Sequence, residues 1–392
     1  MSQRIVVLGA GYAGSAAIRE LESKASDEFE LVWISENDYH LLLHEVHRMI
    51  RDPSVESNIK IPVEDIKRDS TRFIEDRVTG VDTAGRTVEL ESRDPVSYDY
   101  LIVALGSGTE YYGIEGLEEH AHDIKSVESA RDIHEGIRAS AAEKGWTDPA
   151  QVVIGGAGMS GVQTAGEVAE FRDRHNAPID VTVVEGLDDV LPKGDPEARE
   201  SVRRLLRERD VTIRTGEFVS RVDDDCVYLD PKDGEDTGTL EYDVLIWTGG
   251  IAGREELEAV DVGTDERSNR IHAGTDLRTD DERVFAIGDA ALVDQVDGEY
   301  APPTSQAAWG AAKVAARNVL HDVRGEPLES YDHLDKGTAI SIGDETVVYD
   351  VIGLPFDTIE GAAGRALKKA IAARWIVSVS SVKRAVRAWG DM

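Results

Sequence analysis

The chain has 392 residues, with 77 Asp and Glu against 43 Lys and Arg and a formal net charge of −34. That balance excludes a general nucleic-acid binder, whose surface must be basic to meet phosphate, while 41% hydrophobic residues suffice for sizeable cores. The single cysteine, Cys226, excludes an internal disulfide, a Cys-x-x-Cys redox pair and a thiolate-rich metal site.

The length predicts two or three domains. Only 12 of the 43 basic residues are Lys, and acid excess with few lysines resembles the proteins of salt-loving organisms. A strand-like run begins at Ile5, which leaves no room for a signal peptide. No stretch approaches the roughly 18 apolar residues that a spanning helix needs. The expectation is a soluble or surface-attached intracellular protein.

In chain order, apolar β-rich runs alternate with amphipathic helical stretches, the pattern of α/β domains with parallel sheets. Residues 4–8 read as a buried strand, followed by Gly9-Ala10-Gly11-Tyr12-Ala13-Gly14, a helix through Leu21 and a strand at 30–34. Residues 57–103 read as an antiparallel excursion with a return strand at 100–104. Residues 151–155 then lead into Gly156-Ala157-Gly158-Met159-Ser160-Gly161, a helix through Phe171 and a strand at 180–184. Strands at 242–248 and 284–287 end in Gly249-Gly250 and Gly288-Asp289. The acidic stretches 223–237 and 261–270 read as solvated loops or hairpin turns, and residues 330–392 as a separate C-terminal piece. The fold class is α/β, with two nested Rossmann-like dinucleotide-binding domains.

In a Gly-x-Gly-x-x-Gly turn the first glycine makes the bend, the second lets pyrophosphate approach the backbone, and the third lets helix meet strand. The helix N-terminus then faces the phosphates with free N–H groups. An acid at the end of the second strand holds the ribose diol. After the first loop that acid is Glu36, with Ser35 one place earlier as the other choice; after the second it is Glu185. A carboxylate there pairs with the 2′-hydroxyl of NADH and repels the 2′-phosphate of NADPH, so NADH preference is expected. A strand ending in Gly288-Asp289 can set a carboxylate against a ribityl chain, which belongs to a flavin.

With these motifs in collinear order, the chain resembles the type II NADH dehydrogenases, the single-subunit NADH:quinone oxidoreductases of the two-dinucleotide-fold flavoproteins, and its composition suggests a haloarchaeal-like member. The matching stretches are residues 6–14, 37–40, 98–107, 112–126, 156–167, 242–250, 284–290 and 302–306. The resemblance implies non-covalent FAD in the first fold, on Gly9 to Gly14 with Ala104 and Gly106, closed by Gly288 and Asp289. Val78 would offer its backbone to the adenine. NADH would lie on Gly156, Gly158, Gly161 and Gly249, and Gln306 and Ala307 beside the flavin ring. Residues 1–113 and 253–328 would be the two parts of the FAD domain, 114–252 the NAD domain, and 329–392 a C-terminal region on the membrane.

Three departures from the family bear on the acceptor side. Where members have Ala-Gln-x-Ala-x-Gln, this chain reads Ser305-Gln306-Ala307-Ala308-Trp309-Gly310, so Gly310 replaces a polar anchor for the quinone. Trp309 either offers a stacking face or is a buried structural residue. Gln163 stands where a Glu is usual and cannot exchange a proton in the same way. After Tyr39-His40, members tend to Pro and Tyr, whereas here the run is Leu41-Leu42-Leu43-His44-Glu45-Val46-His47. On a helix His40, His44 and His47 would share one face, which suits a metal site, a proton relay near neutral pH, or packing and hydrogen bonding. Of these the metal site is not adopted. The expected catalytic residues are Gln163, His44, His47 and Gln306, with Ser305, Gln306, Trp309 and Gly310 at the quinone.

Residues 361–390 hold seven bases (Arg365, Lys368, Lys369, Arg374, Lys383, Arg384 and Arg387) and no acid. With Asp391 the tail is net +6, which leaves −40 on residues 1–360. Leu367, Ile371, Trp375, Val379, Val382, Val386 and Trp389 form an apolar stripe, so the segment reads as a basic amphipathic helix on anionic lipid, or as one docked on the acidic body. Near molar salt the Debye length is about 3 Å, and the stripe would then supply most of any membrane attachment.

The expected activity is hydride transfer from NADH to FAD and two electrons on to a membrane quinone, menaquinone by preference, without proton pumping. The expected place is the cytoplasmic face of the membrane, with a homodimer possible. The alternatives are an NADH-dependent reductase of a small carrier such as a ferredoxin or rubredoxin, and a non-enzymatic NADH-sensing flavoprotein. The shortage of cysteines counts against sulfide:quinone oxidoreductases, disulfide reductases and thiol-based NADH oxidases.

Overall fold

Ile5, Val6, Val7 and Leu8 are fully buried, as a strand covered on both faces of a parallel sheet requires. They belong to β1 (Gln3–Leu8), which runs into α1 (Tyr12–Lys24) and β2 (Phe29–Ser35). The computed structural model describes residues 3–24, 29–232, 238–353 and 358–390; residues 233–237 of the acidic stretch and Asp391 lie outside them. After β3 (Arg72–Glu75) the chain makes an antiparallel excursion through Val78–Asp82, Thr87–Leu90 and Val96–Ser97, and returns as β4 (Tyr100–Val103).

Helix α2 (Val127–Glu143), capped by the Ser126 side chain, leads to the second unit. This comprises β5 (Ala150–Gly155), α3 (Met159–His175), β6 (Ile179–Glu185), β7 (Val211–Thr215) and β8 (Val244–Trp247). Helix α3 ends on Asn176 in the left-handed conformation, where asparagine is tolerated. The chain then supplies β9 (Val284–Ala286) and the long α4 (Ser305–Arg324), whose Thr304 cap accepts from the Ala307 N–H and whose end is left-handed Gly325.

The strand orders are β9-β4-β1-β2-β3 in the first sheet and β7-β6-β5-β8 in the second, all parallel. β9 is borrowed from the far end of the chain, which brings Gly288-Asp289 beside the first glycine loop. A smaller antiparallel sheet covers the outer face of the second unit through Val219, Val227 and Leu229. One of its strands, Cys226–Pro231, runs through the acidic stretch read as loop or turn. It holds the single cysteine.

The C-terminal piece consists of β10 (Thr338–Ile342), β11 (Glu345–Tyr349), β12 (Thr358–Glu360), α5 (Gly361–Val379) and α6 (Val382–Ala388). It is not separate: Ile340, Ile342, Ala372, Trp375 and Ile376 belong to the same apolar core as both sheets. Gly166 of α3 would place a Cβ 2.5 Å from the Gly343 nitrogen, so α3 and the β10–β11 turn meet backbone to backbone. The face that α5 buries is Gly364, Lys368, Ala372, Trp375, Ile376 and Val379, offset from the expected stripe. Trp375, expected at a lipid interface, is inside, while Ile371 is exposed and Leu367 half-buried. Fully burying a side chain such as Ile376 contributes about 1.5–3 kcal/mol, so this face holds the helix on the body. Among the described residues no helix is long and apolar enough to cross a membrane.

Candidate functional site

The two glycine loops have the same construction. Gly9 has φ +94° and a Cβ there would lie 2.3 Å from the Ala104 carbonyl oxygen, while one on Gly14 would lie 1.9 Å from the Gly9 oxygen. In the second loop Gly156 has φ +91°, and a Cβ on Gly161 would lie 1.8 Å from the Gly156 oxygen. The middle glycines, Gly11 and Gly158, face open space. Both loops therefore fit a phosphate: close packing fixes the outer glycines, and the exposed backbone is at the centre.

The acids expected at the two riboses are both held. Glu36, past the end of β2, accepts two hydrogen bonds from the Arg254 guanidinium, at 2.7 and 3.0 Å, while Ser35 is turned inward. Glu185, ending β6, accepts from the Ala157 N–H at 2.7 Å and the Leu187 N–H at 2.9 Å, so it is tied to the second loop itself. Gly249 follows β8, and its carbonyl accepts from the Tyr112 hydroxyl at 3.0 Å. Gly106 is left-handed with open space beside it, and Ala104 is buried under Gly9. Val78 pairs with Leu90 in the antiparallel excursion.

Gly288 has φ +67° and packs against Ala13 of α1. Burial pushes the Asp289 carboxyl up, against the pull of Lys125 and Arg270. Arg270 is anchored by donating to the carbonyls of Asp289 and Ala291 at 2.9 and 2.6 Å. At the start of α4, Gln306 donates to Asp335 at 3.2 Å and accepts from the Lys336 N–H at 3.1 Å, while Ser305 is exposed and Ala307 buried. Trp309 meets Trp375 edge to face at 4.8 Å between ring centres, with Lys313 and Arg374 near its faces. Gly310 leaves no vacancy for a polar anchor: a Cβ there would lie 3.1 Å from the Tyr331 ring, whose hydroxyl donates to the Ala307 carbonyl.

The histidines are not on one helix. His40 lies in the strand Tyr39–Leu41, His44 in a 3-10 turn over Leu43–Glu45, and His47 caps the short helix Arg48–Arg51. The cause is tertiary: Leu42 and Val46 are buried, so the backbone is folded around two apolar anchors instead of winding on. The three rings reach different partners. His40 bonds the Ala10 carbonyl through Nδ1 and the Trp375 indole through Nε2, both at 2.9 Å. His44 Nδ1 bonds the Tyr12 hydroxyl. His47 Nε2 bonds Ser341 Oγ at 3.1 Å.

A buried polar cluster joins these elements to α3 and α5. The Lys368 ammonium donates to Ser341 Oγ at 2.6 Å and to Gln163 Oε1 at 3.0 Å, and lies 3.6 Å from Glu45 Oε1. Arg48 pairs with Glu45 on the other side. Arg51 reaches Glu167 of α3 at 3.2 Å and Asp344 at 2.8 Å. Burial alone would raise Glu45, but Lys368 and Arg48 hold it well below the usual carboxylate range. Lys368 is pulled down to about 8 by burial, against Glu45. Burial also pulls His40 and His44 down to about 4 and His47 well below its ordinary value, so all three are neutral near pH 7.

Gln163 and His47 are thus brought together through Ser341, whereas Gln306 is turned toward the 335–336 loop. Lys368, Glu45, Ser341, Tyr331 and Arg254 were absent from the expected set. The sequence signal for Lys368 is its spacing of four from Gly364 and from Ala372, a stripe of small residues that lets a helix approach closely.

Three comparisons with known proteins bear on this arrangement. A family model described as pyridine nucleotide-disulphide oxidoreductase matches residues 3–316. Type II NADH:quinone oxidoreductases from Staphylococcus saprophyticus and Staphylococcus aureus are 27% and 28% identical to it, over 97% of this chain and 96% of theirs. Among solved structures, NDH2 from Plasmodium falciparum in complex with NADH superposes with a TM-score of 0.86, covering 100% of this chain and 98% of that one at 16% identity. The sulfide:quinone oxidoreductase from Aquifex aeolicus superposes at 0.81, with 19% identity over 97% of this chain and 92% of that one.

Proposed function

The chain belongs to the pyridine nucleotide-disulphide oxidoreductase family, and from that premise we infer that it is an FAD-dependent NADH:quinone oxidoreductase of type II. The observation that carries this is the pair of glycine loops, alike in which glycines exclude a Cβ and which leave the backbone open. Two such loops on two parallel sheets suit two dinucleotides, and the relatives that align over 97% of the chain act between NADH and quinone. When bound, FAD supplies the two-electron carrier between donor and acceptor.

The protein's own work is binding and exclusion. In this reading the first loop, Ala104 and Gly106 hold the pyrophosphate and flank of FAD. Glu36, steadied by Arg254, takes the ribose diol, Val78 the adenine, and Gly288-Asp289 the ribityl side. Gly156, Gly158, Gly161, Gly249 and Glu185 hold NADH, with Glu185 disfavouring a 2′-phosphate. Ser305, Gln306, Ala307 and Trp309 border the acceptor side, where Gln163 and Lys368 supply polar contacts. His47 is sealed against Ser341 and is given a packing role. Cys226 sits in the outer antiparallel sheet, which disfavours the thiol chemistry of related enzymes.

Attachment to a membrane surface rests on the outer side of α5 and α6. Ile371, Val377, Val382, Val386 and Trp389 are exposed there, alongside Arg374, Lys383 and Arg387. Four of the seven tail bases are engaged by the protein itself: Arg365 with Glu345, Lys368 in the buried cluster, Lys369 with the Trp389 carbonyl and Arg384 with Asp65. This reading sets the enzyme on the cytoplasmic face as a peripheral protein.

Anaerobic absorbance tests the assignment. NADH added to the holoenzyme bleaches the flavin band, and a short-chain quinone restores it rapidly; mena- and ubiquinone analogues compared side by side identify the acceptor class. Bleaching without recovery by any quinone points to a protein acceptor instead. No bound flavin rejects the assignment.

A further inference from the structure

Quinone reduction to quinol takes two electrons and two protons, and a hydride from NADH brings two electrons and one proton. Each turnover therefore draws one further proton from solvent. We propose that Tyr12 and His44 deliver that proton to the reduced acceptor, with Glu45 as the positioning residue that orients His44. This rests on the oxidoreductase reading above.

Tyr12 follows Gly11, the open glycine of the first loop, and its ring lies 4.8 Å from that of Trp375, which in turn meets Trp309. Its hydroxyl is hydrogen-bonded to His44 Nδ1. On the other side of the imidazole, Nε2 has no hydrogen-bond partner and lies 3.4 Å from Glu45 Oε1, an oxygen that the Lys368 ammonium also approaches to 3.6 Å. Buried polar atoms are rarely left unpaired, and these two face one another. A carboxylate only accepts, so Nε2 carries the hydrogen and Nδ1 accepts from the Tyr12 O–H.

His44 is also the histidine with a way out. Its side chain keeps 29% of its exposure although Nε2 itself is buried, while His40 has both ring nitrogens bonded and His47 is 3% exposed. The charged and titratable groups facing it are Glu45 on its own turn, His47 and Arg48 at the next helix, Lys368 from α5, Tyr12 from α1 and His40 from the adjoining strand. Lys368 and Arg48 oppose a lasting imidazolium, and Glu45 supports a transient one.

The step balances as follows. The Tyr12 hydroxyl turns its hydrogen to the acceptor oxygen, which frees the Nδ1 lone pair for a solvent proton. The Tyr12 O–H bond then breaks toward the acceptor as the Nδ1–H proton passes to the phenolic oxygen. Tyr12 and His44 return to their starting forms, and one solvent proton has moved. Burial and Glu45 both push the Tyr12 phenol well above its ordinary value, so it is protonated at the start of each cycle.

Rapid-mixing measurements on the flavin-loaded protein separate reduction by NADH from reoxidation by menadione. In His44→Ala and Tyr12→Phe the ratio of reoxidation rate to reduction rate is expected to fall at least about 100-fold, the lower end of the usual range for lost proton transfer. Free imidazole is expected to restore reoxidation in His44→Ala and not in Tyr12→Phe, which a structural role for His44 would not produce. Glu45→Asp, which keeps the charge but draws it back from His44, is expected to lower the same ratio. Unchanged ratios, or no rescue by imidazole, overturn the relay. Should a variant lose its flavin, wild-type reoxidation in H2O and D2O still decides: slowing in D2O is expected, and equal rates overturn the proposal. Failure of wild-type flavin to bleach with NADH rejects the oxidoreductase reading instead.

Discussion

The Trp375 indole N–H donates to His40 Nε2 at 2.9 Å, and that bond fixes the state of the imidazole. An indole nitrogen only donates, and the Ala10 carbonyl at Nδ1 only accepts. His40 is therefore the neutral Nδ1–H tautomer, joining the first glycine loop to the C-terminal helix.

A pH dependence of stability follows. Burial lowers His40 from 6.5 to about 4. Between those values the unfolded chain takes up a proton that the folded chain refuses, so stability is full above about pH 6.5 and falls as pH drops toward 4. From pH 7 to pH 5 this one group accounts for about 2 kcal/mol. Urea unfolding of a His40→Phe variant is expected to show a smaller acid loss than wild type by about that amount; equal losses would reject the assignment.

Gly310 tests whether the missing polar anchor can be restored. Gly310→Gln drives a side chain into the Tyr331 ring and is expected to cost about 1–3 kcal/mol. Gly310→Ala is expected to be near neutral, because helix propensity gains about 1 kcal/mol against a contact that must yield slightly. Adding Tyr331→Ala to Gly310→Gln should give a strongly non-additive thermal shift; simple additivity would show that the two side chains do not compete for one volume.

In the proposed reading Glu185 is the residue that would set the nucleotide preference. In Glu185→Ala the repulsion toward a 2′-phosphate is gone, and the Ala157 and Leu187 amides lose their acceptor. The ratio of kcat/KM for NADH to that for NADPH is expected to fall at least about tenfold, or 1.4 kcal/mol. An unchanged ratio places the discrimination elsewhere.

Membrane attachment is better tested on α6 than by removing the tail. Deleting residues 361–392 also removes Lys368 and Trp375 from the buried cluster, so lost activity would say little about lipid. Val382→Glu with Val386→Glu alters only the exposed face, and removing two valines that would bury themselves in lipid should weaken vesicle binding at least roughly 100-fold. Unaltered cosedimentation with anionic vesicles would exclude this face.

The two loops were legible in the sequence because each glycine answers a local demand: a positive φ, a missing Cβ, an open backbone. Parallel strands were equally plain, since burial on both faces writes a continuous apolar run. The buried polar cluster around Lys368 was not legible, because its residues meet only through tertiary packing. The histidine spacing suggested a helix, but Leu42 and Val46 fold that segment otherwise. The sequence pattern puts Lys368 and Trp375 on a surface stripe because Leu367, Ile371 and Trp375 form the more apolar series. The small residues Gly364 and Ala372 that flank Lys368 are a weaker local signal, and the β10–β11 hairpin under the helix decides for their face.

The bond between His40 and Trp375 spans 335 residues of chain. At about 5–20 residues per second of synthesis, the first glycine loop waits roughly 15–70 seconds before its partner helix is made. Until then Ala10, His40 and Tyr12 lack the helix that covers them. A ribosome that stalls before α5 leaves a chain with both glycine loops and without the helix that packs on the first. Synthesis of α5 is therefore what brings the first glycine loop the last partner that His40 bonds.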